Sequence, residues 1–290
     1  MIDARLARRP SASSLRRRAV ILLLTGLLTL LATGPAAAAV APRPVAADAG
    51  LGLAAASTAT AMAADIMVWL NRDRAAAGLR PLRAWTSLAA LAGQRAASMS
   101  AIRTLSHQAA GGDPGAALTS SGIGWYSYGE AIGETSYPWG TTAAANLYSM
   151  WTASAVHHAM LFSATYNYIG VGIARASDGS TWSSLLFTES ADHTPPVARN
   201  GSLVRSGTSL TCRWSGADPV LQTHTAGLRG FNVQYRADSG AWITIRRLTA
   251  MTWLGLSNRR HGTSYSFRVQ AVDRRGNLSA WTAAKRIWVP

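Results

Sequence analysis

The stretch Ile169 to Ala174, IGVGIA, read together with Trp182 to Thr188, WSSLLFT, decides the fold. Both are short runs rich in β-formers, and Asp178-Gly179 between them supplies a tight turn, so together they predict a β-hairpin. Upstream the apolar period becomes helical. Met62, Ile66, Trp69 and Leu70 share a helical face that Gly78 and Pro81 terminate. Leu88, Leu91, Ala92, Arg95, Ala96 and Met99 recur at three and four residues, with Ser87 placed to cap that second helix. A third helix runs from about Thr141 to Ser154, where Leu147, Met150 and Trp151 share a face. Helices followed by a hairpin predict an α+β domain whose helices pack on an antiparallel sheet.

Downstream, Asp192-His193-Thr194-Pro195-Pro196 marks a boundary, because paired prolines continue neither a helix nor a central strand. Short alternating runs follow at Ser209 to Trp214, Gly230 to Arg236, Trp242 to Arg246, Tyr265 to Val272 and Ala283 to Val289. Turn residues separate them as in a β-sandwich of about 100 residues. The predicted domains are therefore 61–192 and 193–290.

Ahead of residue 61 the pattern is that of export. Arg5, Arg8, Arg9, Arg16, Arg17 and Arg18 precede an apolar run from Ala19 to Ala32, followed by small residues through Ala39. A charged start, an apolar centre and small residues are the parts of a secretory signal peptide, expected over 1–41. The Arg16-Arg17-Arg18 cluster leaves Sec and twin-arginine export both open. Residues 42–60, rich in Ala, Pro, Ser and Thr, read as a flexible linker. The 290 residues carry one cysteine, Cys212, which excludes an intrachain disulfide and a cysteine-paired zinc site and reads as a buried small hydrophobe.

The formal charge of +15 invites a nucleic-acid reading until it is located along the chain. Six arginines and Asp3 belong to the expected leader; 61–192 carries seven Arg against eight acids, and the residues from Pro196 onward carry 14 basic groups against three acids. An exported chain does not meet nucleic acid, so the basic domain is matched to anionic cell-wall polymers or lipid headgroups, with a merely solvated surface as the other reading.

Candidate chemistry falls in the first domain. His107, His157 and His158 lie there, with Glu130 and Glu134 in GEAIGE between them. A carboxylate and two imidazoles from separate segments can bind a divalent metal or act as general acid and base if the fold brings them together. The chain has no HExxH, GxSxG or GxxxxGK[ST] motif, and a nucleophilic role for Ser154 is weaker than a capping one.

LNRDRAAAGLRPL (Leu70 to Leu82), LAALAGQRAASM (Leu88 to Met99), LSH (Leu105 to His107), GEAIGE (Gly129 to Glu134), WTASAVHHAML (Trp151 to Leu161) and IGVGIA follow in an order that resembles the CAP superfamily, and within it the bacterial SCP-like branch. The resemblance implies a CAP-type α/β/α sandwich with a cleft of two histidines and two glutamates. It places His107, Glu130 and His157 at three cleft positions and Ser154 at the second glutamate; Ala131 replaces the Asn that usually follows Glu130. Two readings follow: His107 and His157 hold zinc with Glu130 as base of a metal-assisted hydrolase, or the three form a buried hydrogen-bonded cluster. His158 is expected to face solvent. Trp125, Tyr126, Tyr128, Tyr137 and Trp139, around Glu130, are candidates for an apolar groove or for core.

The second domain resembles an immunoglobulin-like, fibronectin type III sandwich, through LTCRWSG around Trp214, GFNVQYR, Trp242 and GTSYSFRVQAVDRRGNLSAW. That resemblance puts Trp214 at the centre and Tyr265 at the corner where a hydroxyl ties back to the backbone; His224 and His261 read as solvated. The combined expectation is a bacterial, secreted or cell-surface protein whose first domain binds a lipid-like or apolar ligand, or a partner, and whose second attaches it to the envelope. Catalysis is the lesser expectation.

Overall fold

The structure, a computed structural model, describes residues 1–8 and 59–290. The expected leader and linker lie outside the described residues except at their ends. Ile2–Arg8, read as the charged start of a leader, forms strand β1, and α1 (Ala59–Ala76) begins inside the expected linker. Among the described residues no helix is long and apolar enough to cross a membrane.

After α1 come β2 (Arg83–Ala84), α2 (Thr86–Ile102), α3 (Pro114–Ser120), β3 (Ser127–Thr135), α4 (Thr141–Ala153), α5 (Ala155–Leu161), β4 (Tyr168–Arg175) and β5 (Thr181–Glu189). The strands form one sheet in the order β1-β3-β5-β4-β2, antiparallel except where β2 runs parallel to β4. The expected hairpin is β4–β5, with Ile169 opposite Phe187 and Ala174 opposite Trp182. Its turn holds Gly179 at φ 90°, which a side chain would strain, while Asp178 accepts a hydrogen bond from the Ser180 N–H.

Alternation along the strands explains the layering. Ala131, Ile169, Leu185 and Phe187 enter one core with Met62, Ile66 and Leu70 of α1 and Leu147 and Trp151 of α4. Their neighbours Tyr128, Tyr168 and Leu186 point the other way, into a core with Leu88, Leu91 and Ala92 of α2. Successive strand residues face opposite sides, so a sheet apolar on both faces must be covered on both. Gly170 and Gly172 let α2 lie directly on β4, because a Cβ at either would overlap the helix backbone at Leu88–Ala89 or Ala92–Gly93.

The α2 face is buried as its period predicts, but the helix starts after Trp85, with no side-chain cap from Ser87. In α4, Met150 is only partly buried and Tyr148 takes its place in the core. The sequence reading missed α3, capped by Asp113 with Pro114 at its first turn, and missed α5 and β3. Strand β3 hid because Gly129, Ala131 and Gly133 replace the large residues that mark strands, giving the helices room to approach.

Residues 197–289 add seven strands: β6 (Val197–Ser206), β7 (Ser209–Ala217), β8 (Leu228–Ala237), β9 (Ile243–Thr249), β10 (Trp253–Leu256), β11 (Thr263–Asp273) and β12 (Lys285–Val289). They form two sheets, β10-β7-β6 and β12-β11-β8-β9, whose inward residues share one core around Cys212, Trp214, Phe231 and Phe267. Strands β6 and β10 were not foreseen. The Tyr265 hydroxyl accepts a hydrogen bond from the Arg260 N–H at 3.0 Å, the backbone tie expected of a corner tyrosine. Cys212 is buried, and burial pushes its thiol up to about 11.

Candidate functional site

Glu130 leaves β3 on the α2 side of the sheet and is completely buried. Arg95, on the third turn of α2, donates through Nε to Oε1 at 2.5 Å and through Nη2 to Oε2 at 2.7 Å, a two-point grip on the carboxylate. Ser184 of β5 donates to Oε1 at 2.8 Å. His107, in the loop after α2, donates through Nδ1 to Oε2 at 2.6 Å, the proton placement that an ionised carboxylate requires. Burial alone would raise the Glu130 carboxyl; the hydrogen bonds from His107, Arg95 and Ser184 and the Arg95 charge outweigh it and hold the group below its ordinary value of 4.5.

His157 behaves differently. It sits in α5, whose Met160 and Leu161 belong to the core shared with α1 and α4, and its Nδ1 hydrogen-bonds Ser154 Oγ at 2.8 Å rather than Glu130. Its Nε2 is buried without a hydrogen bond. The structure thus joins His107 to Glu130, and Ser154 serves as the polar partner of His157. His158 is exposed, as expected, and stacks on Phe162 at 4.3 Å.

His107, Glu130 and His157 do not supply three protein ligands for a catalytic metal. Such a site takes three protein ligands, whereas Glu130 already accepts four hydrogen bonds, two from a guanidinium that would repel a dication. Among the described residues, His107, Glu130 and His157 are not a group whose ligand atoms lie within 4.8 Å of one another. Glu130 is also poorly placed to act as a base, since each of its oxygens already accepts two hydrogen bonds from Arg95, Ser184 and His107.

The aromatic residues around Glu130 do not line a common groove. Tyr128 is core, with its hydroxyl on Asp113 Oδ2 and Trp125 edge-on at 5.0 Å. Tyr126 lies against His224 of the all-β part, which also bonds Glu189 at 3.0 Å; Arg175 covers Trp139, and Tyr137 is exposed. Arg95 is the site residue whose role sequence reasoning missed. Its signal was visible: an arginine at an apolar-face position of an amphipathic helix needs a buried acidic partner. Arg74 on α1 gives the same signal, and it is met instead by the carbonyls of Arg80, Leu161 and Ser163.

A sheet covered by helices on both faces, with a histidine–glutamate pair beneath α2, defines a class. Residues 69–188 match the family model described as CAP, the cysteine-rich secretory protein family, and this part of the chain is a CAP domain. Among solved structures it is similar to an extracellular SCP-domain protein of Bacillus anthracis, at 22% identity and TM-score 0.38 over 44% of this chain and 40% of that one. An outer surface protein of Borrelia burgdorferi is similar at 16% identity and TM-score 0.42, over 46% of this chain and 96% of that one. The C-terminal part is similar, weakly, to the sixth fibronectin type III domain of a human fibronectin type III domain containing protein, at 16% identity and TM-score 0.25, over 33% of this chain and 82% of that one. The chain thus spans 40% of the length of the Bacillus anthracis protein. No curated protein sequence matches it.

Proposed function

We propose that this is an exported, non-catalytic CAP-domain protein that holds a lipid-like or apolar molecule, or a partner, through its first domain and meets an anionic envelope surface through a fibronectin type III-like second domain. The observation that carries this reading is the commitment of Glu130 to Arg95, His107 and Ser184, which makes the cluster a brace between helix and sheet. It removes the base and the third ligand that a metal-assisted hydrolase needs.

An apolar ligand has a candidate place elsewhere. A cavity of about 290 Å³ lies between Ser127 of β3, Met160 of α5, Tyr166 and Leu6 of β1. This is at the small end for a ligand site. Leu6 forms one wall, so a chain processed near Ala41 would have a wider opening. Binding of a fluorescent fatty acid is expected to be tighter for a chain starting at Ala41 than for the full chain. Ala159→Trp, which fills the cavity from α5, is expected to weaken it at least about tenfold, the effect of roughly 1.4 kcal/mol. No binding by either chain would remove the apolar-ligand reading.

The attachment reading rests on charge placement. Of the three acids from Pro196 onward, Asp218 and Asp273 are packed together with Asp192, and Asp238 caps the Ser264 N–H. The basic groups are left largely without acidic neighbours. Met251 and Trp253 stand exposed beside Arg246 around a cavity of about 500 Å³. Such a rim of Arg and Trp suits a surface with both charge and apolar depth. Retention on purified envelope is expected to fall as salt rises, and to fall further when Arg246, Arg247, Arg259 and Arg260 are neutralised. Equal retention of that variant at low salt would refute the attachment role.

A further inference from the structure

Three arginines stand on one face of the all-β part without an acid to meet them. Along β11, Tyr265, Phe267 and Val269 point into the core, so Ser264, Ser266 and Arg268 face outward. Register then sets their neighbours. Ser266 lies opposite Arg286 of β12 on one side and Arg236 of β8 on the other, and Arg268 lies opposite Gln234. Directly opposed side chains share a sheet face, so Arg286, Arg236 and Arg268 surround a floor of Ser264 and Ser266, which are 3% and 5% exposed. Among the described residues none of the three arginines forms an ion pair. Asp238 and Asp273, at the ends of β8 and β11, are turned to backbone N–H groups instead.

Rings hold these guanidiniums where counter-charges are missing. Arg268 lies over the Trp242 ring at 4.2 Å and the Trp281 ring at 4.7 Å, and Arg236 lies over Trp242 at 4.7 Å. Arg268 also donates through Nε and Nη2 to Gln234 Oε1, at 2.9 and 2.7 Å, and that amide is fixed by donating to Thr244 Oγ1 at 3.0 Å. Every acceptor is neutral. Arg286 Nη2 reaches the Ser264 hydroxyl at 2.8 Å, and Arg236 Nε is shut off from solvent with no acceptor. Stacking orients the three charges but does not cancel them, and an anion laid across the face would relieve their repulsion.

We propose that this outer face of the β12-β11-β8-β9 sheet binds a linear phosphodiester polymer, with phosphates seated along β11 between Arg286 and Arg236 and beside Arg268. The inference rests on the attachment reading above and names its partner. Guanidiniums present fixed forks of N–H donors that match phosphate oxygens, and rings that already hold them reduce the entropy lost on binding. Outward residues of β11 repeat at about 6.7 Å, so an extended chain lying on the strand meets one arginine row after the next. A bilayer is the poorer fit. The rings of Trp242 and Trp281 are half-buried and covered by arginine, so they are not free to enter lipid, and of the three tryptophans on this face only Trp288, on the edge strand β12, is exposed.

The test titrates the full chain with poly(glycerol phosphate) and, separately, with phosphatidylglycerol vesicles at equal total phosphate, following binding heat. Saturable binding of the polymer is expected, weakening as salt rises and at least about tenfold tighter than binding of the vesicles. Arg236→Gln with Arg286→Gln removes two contacts and is expected to weaken polymer binding about tenfold or more. Arg286→Gln alone, a change at an exposed residue that spares the Trp242 stack, should still weaken it about threefold. Arg205→Gln with Arg213→Gln removes the same charge from exposed positions of the other sheet and should change it by less than about twofold. Melting temperatures confirm that each variant is folded. No saturable binding by wild type, undiminished binding by Arg286→Gln, equal loss in the two double variants, or tighter binding to vesicles overturns the proposal. Salt-sensitive envelope retention without polymer binding would overturn this inference alone and leave the attachment reading standing; absence of both removes the two together.

Discussion

A Gly172→Ala chain is expected to lose its CAP domain, at a cost of about 4 kcal/mol or more, although the change adds one methyl group. The added Cβ would overlap the main chain of Ala92 and Gly93, so no rotamer change relieves it and α2 has to lift from β4. Lifting α2 withdraws Leu88, Leu91 and Ala92 from their core and pulls Arg95 away from Glu130. Hydrogen exchange reads this locally: protection of the α2 amides should collapse while that of β11 persists. The control is the helix glycine at that same contact. A Cβ at Gly93 meets nothing within 4 Å, so Gly93→Ala should stabilise the domain by about 0.5–1 kcal/mol through helix propensity. Undiminished α2 protection in Gly172→Ala would mean the helix does not lie on the strand as closely as described.

Arg95→Leu is the second large effect. It leaves the Glu130 carboxylate buried with only His107 and Ser184, and breaking one side of a buried pair typically costs about 3–5 kcal/mol. Replacing both residues, Arg95→Leu with Glu130→Leu, should recover most of that loss, since desolvation of the pair offsets much of its attraction. A catalytic role for Glu130 without a structural one predicts the opposite pattern, with both variants as stable as wild type. The pH dependence has a definite sign. Because folding holds the Glu130 carboxyl below 4.5, its contribution is complete above that value and is lost as pH falls through the lower folded value. In Arg95→Leu the destabilising charge can be removed by a proton, so the deficit relative to wild type should shrink in acid. Urea unfolding across that range measures both.

Much of the site was legible because its residues are chemically conspicuous. His107, Glu130 and His157 stand out by type, and the first two do meet, at 2.6 Å. What they do is set by a partner that composition hides among apolar residues. Arg95 shares its helical stripe with Leu88, Leu91, Ala92, Ala96 and Met99, and only the depth of that stripe under the sheet shows that its charge needs Glu130. The aromatic cluster misled for the converse reason. Only Tyr128 of the five lies in β3; the others sit in the segments at its two ends, where Tyr126 meets His224 and Trp139 meets Arg175, so they do not line one groove.

The sequence by itself determined the helix faces, the β4–β5 hairpin with its Asp178-Gly179 turn and the order of the α+β and all-β parts, because periodicity and turn chemistry are local and survive without neighbours. Tertiary structure alone decided that β3 is a central strand of small residues, that Arg95 neutralises Glu130, and that Asp192, Asp218 and Asp273 converge from positions 26 and 55 residues apart along the chain. Burial and charge pairing depend on what the far chain brings to a place, and no local pattern encodes that.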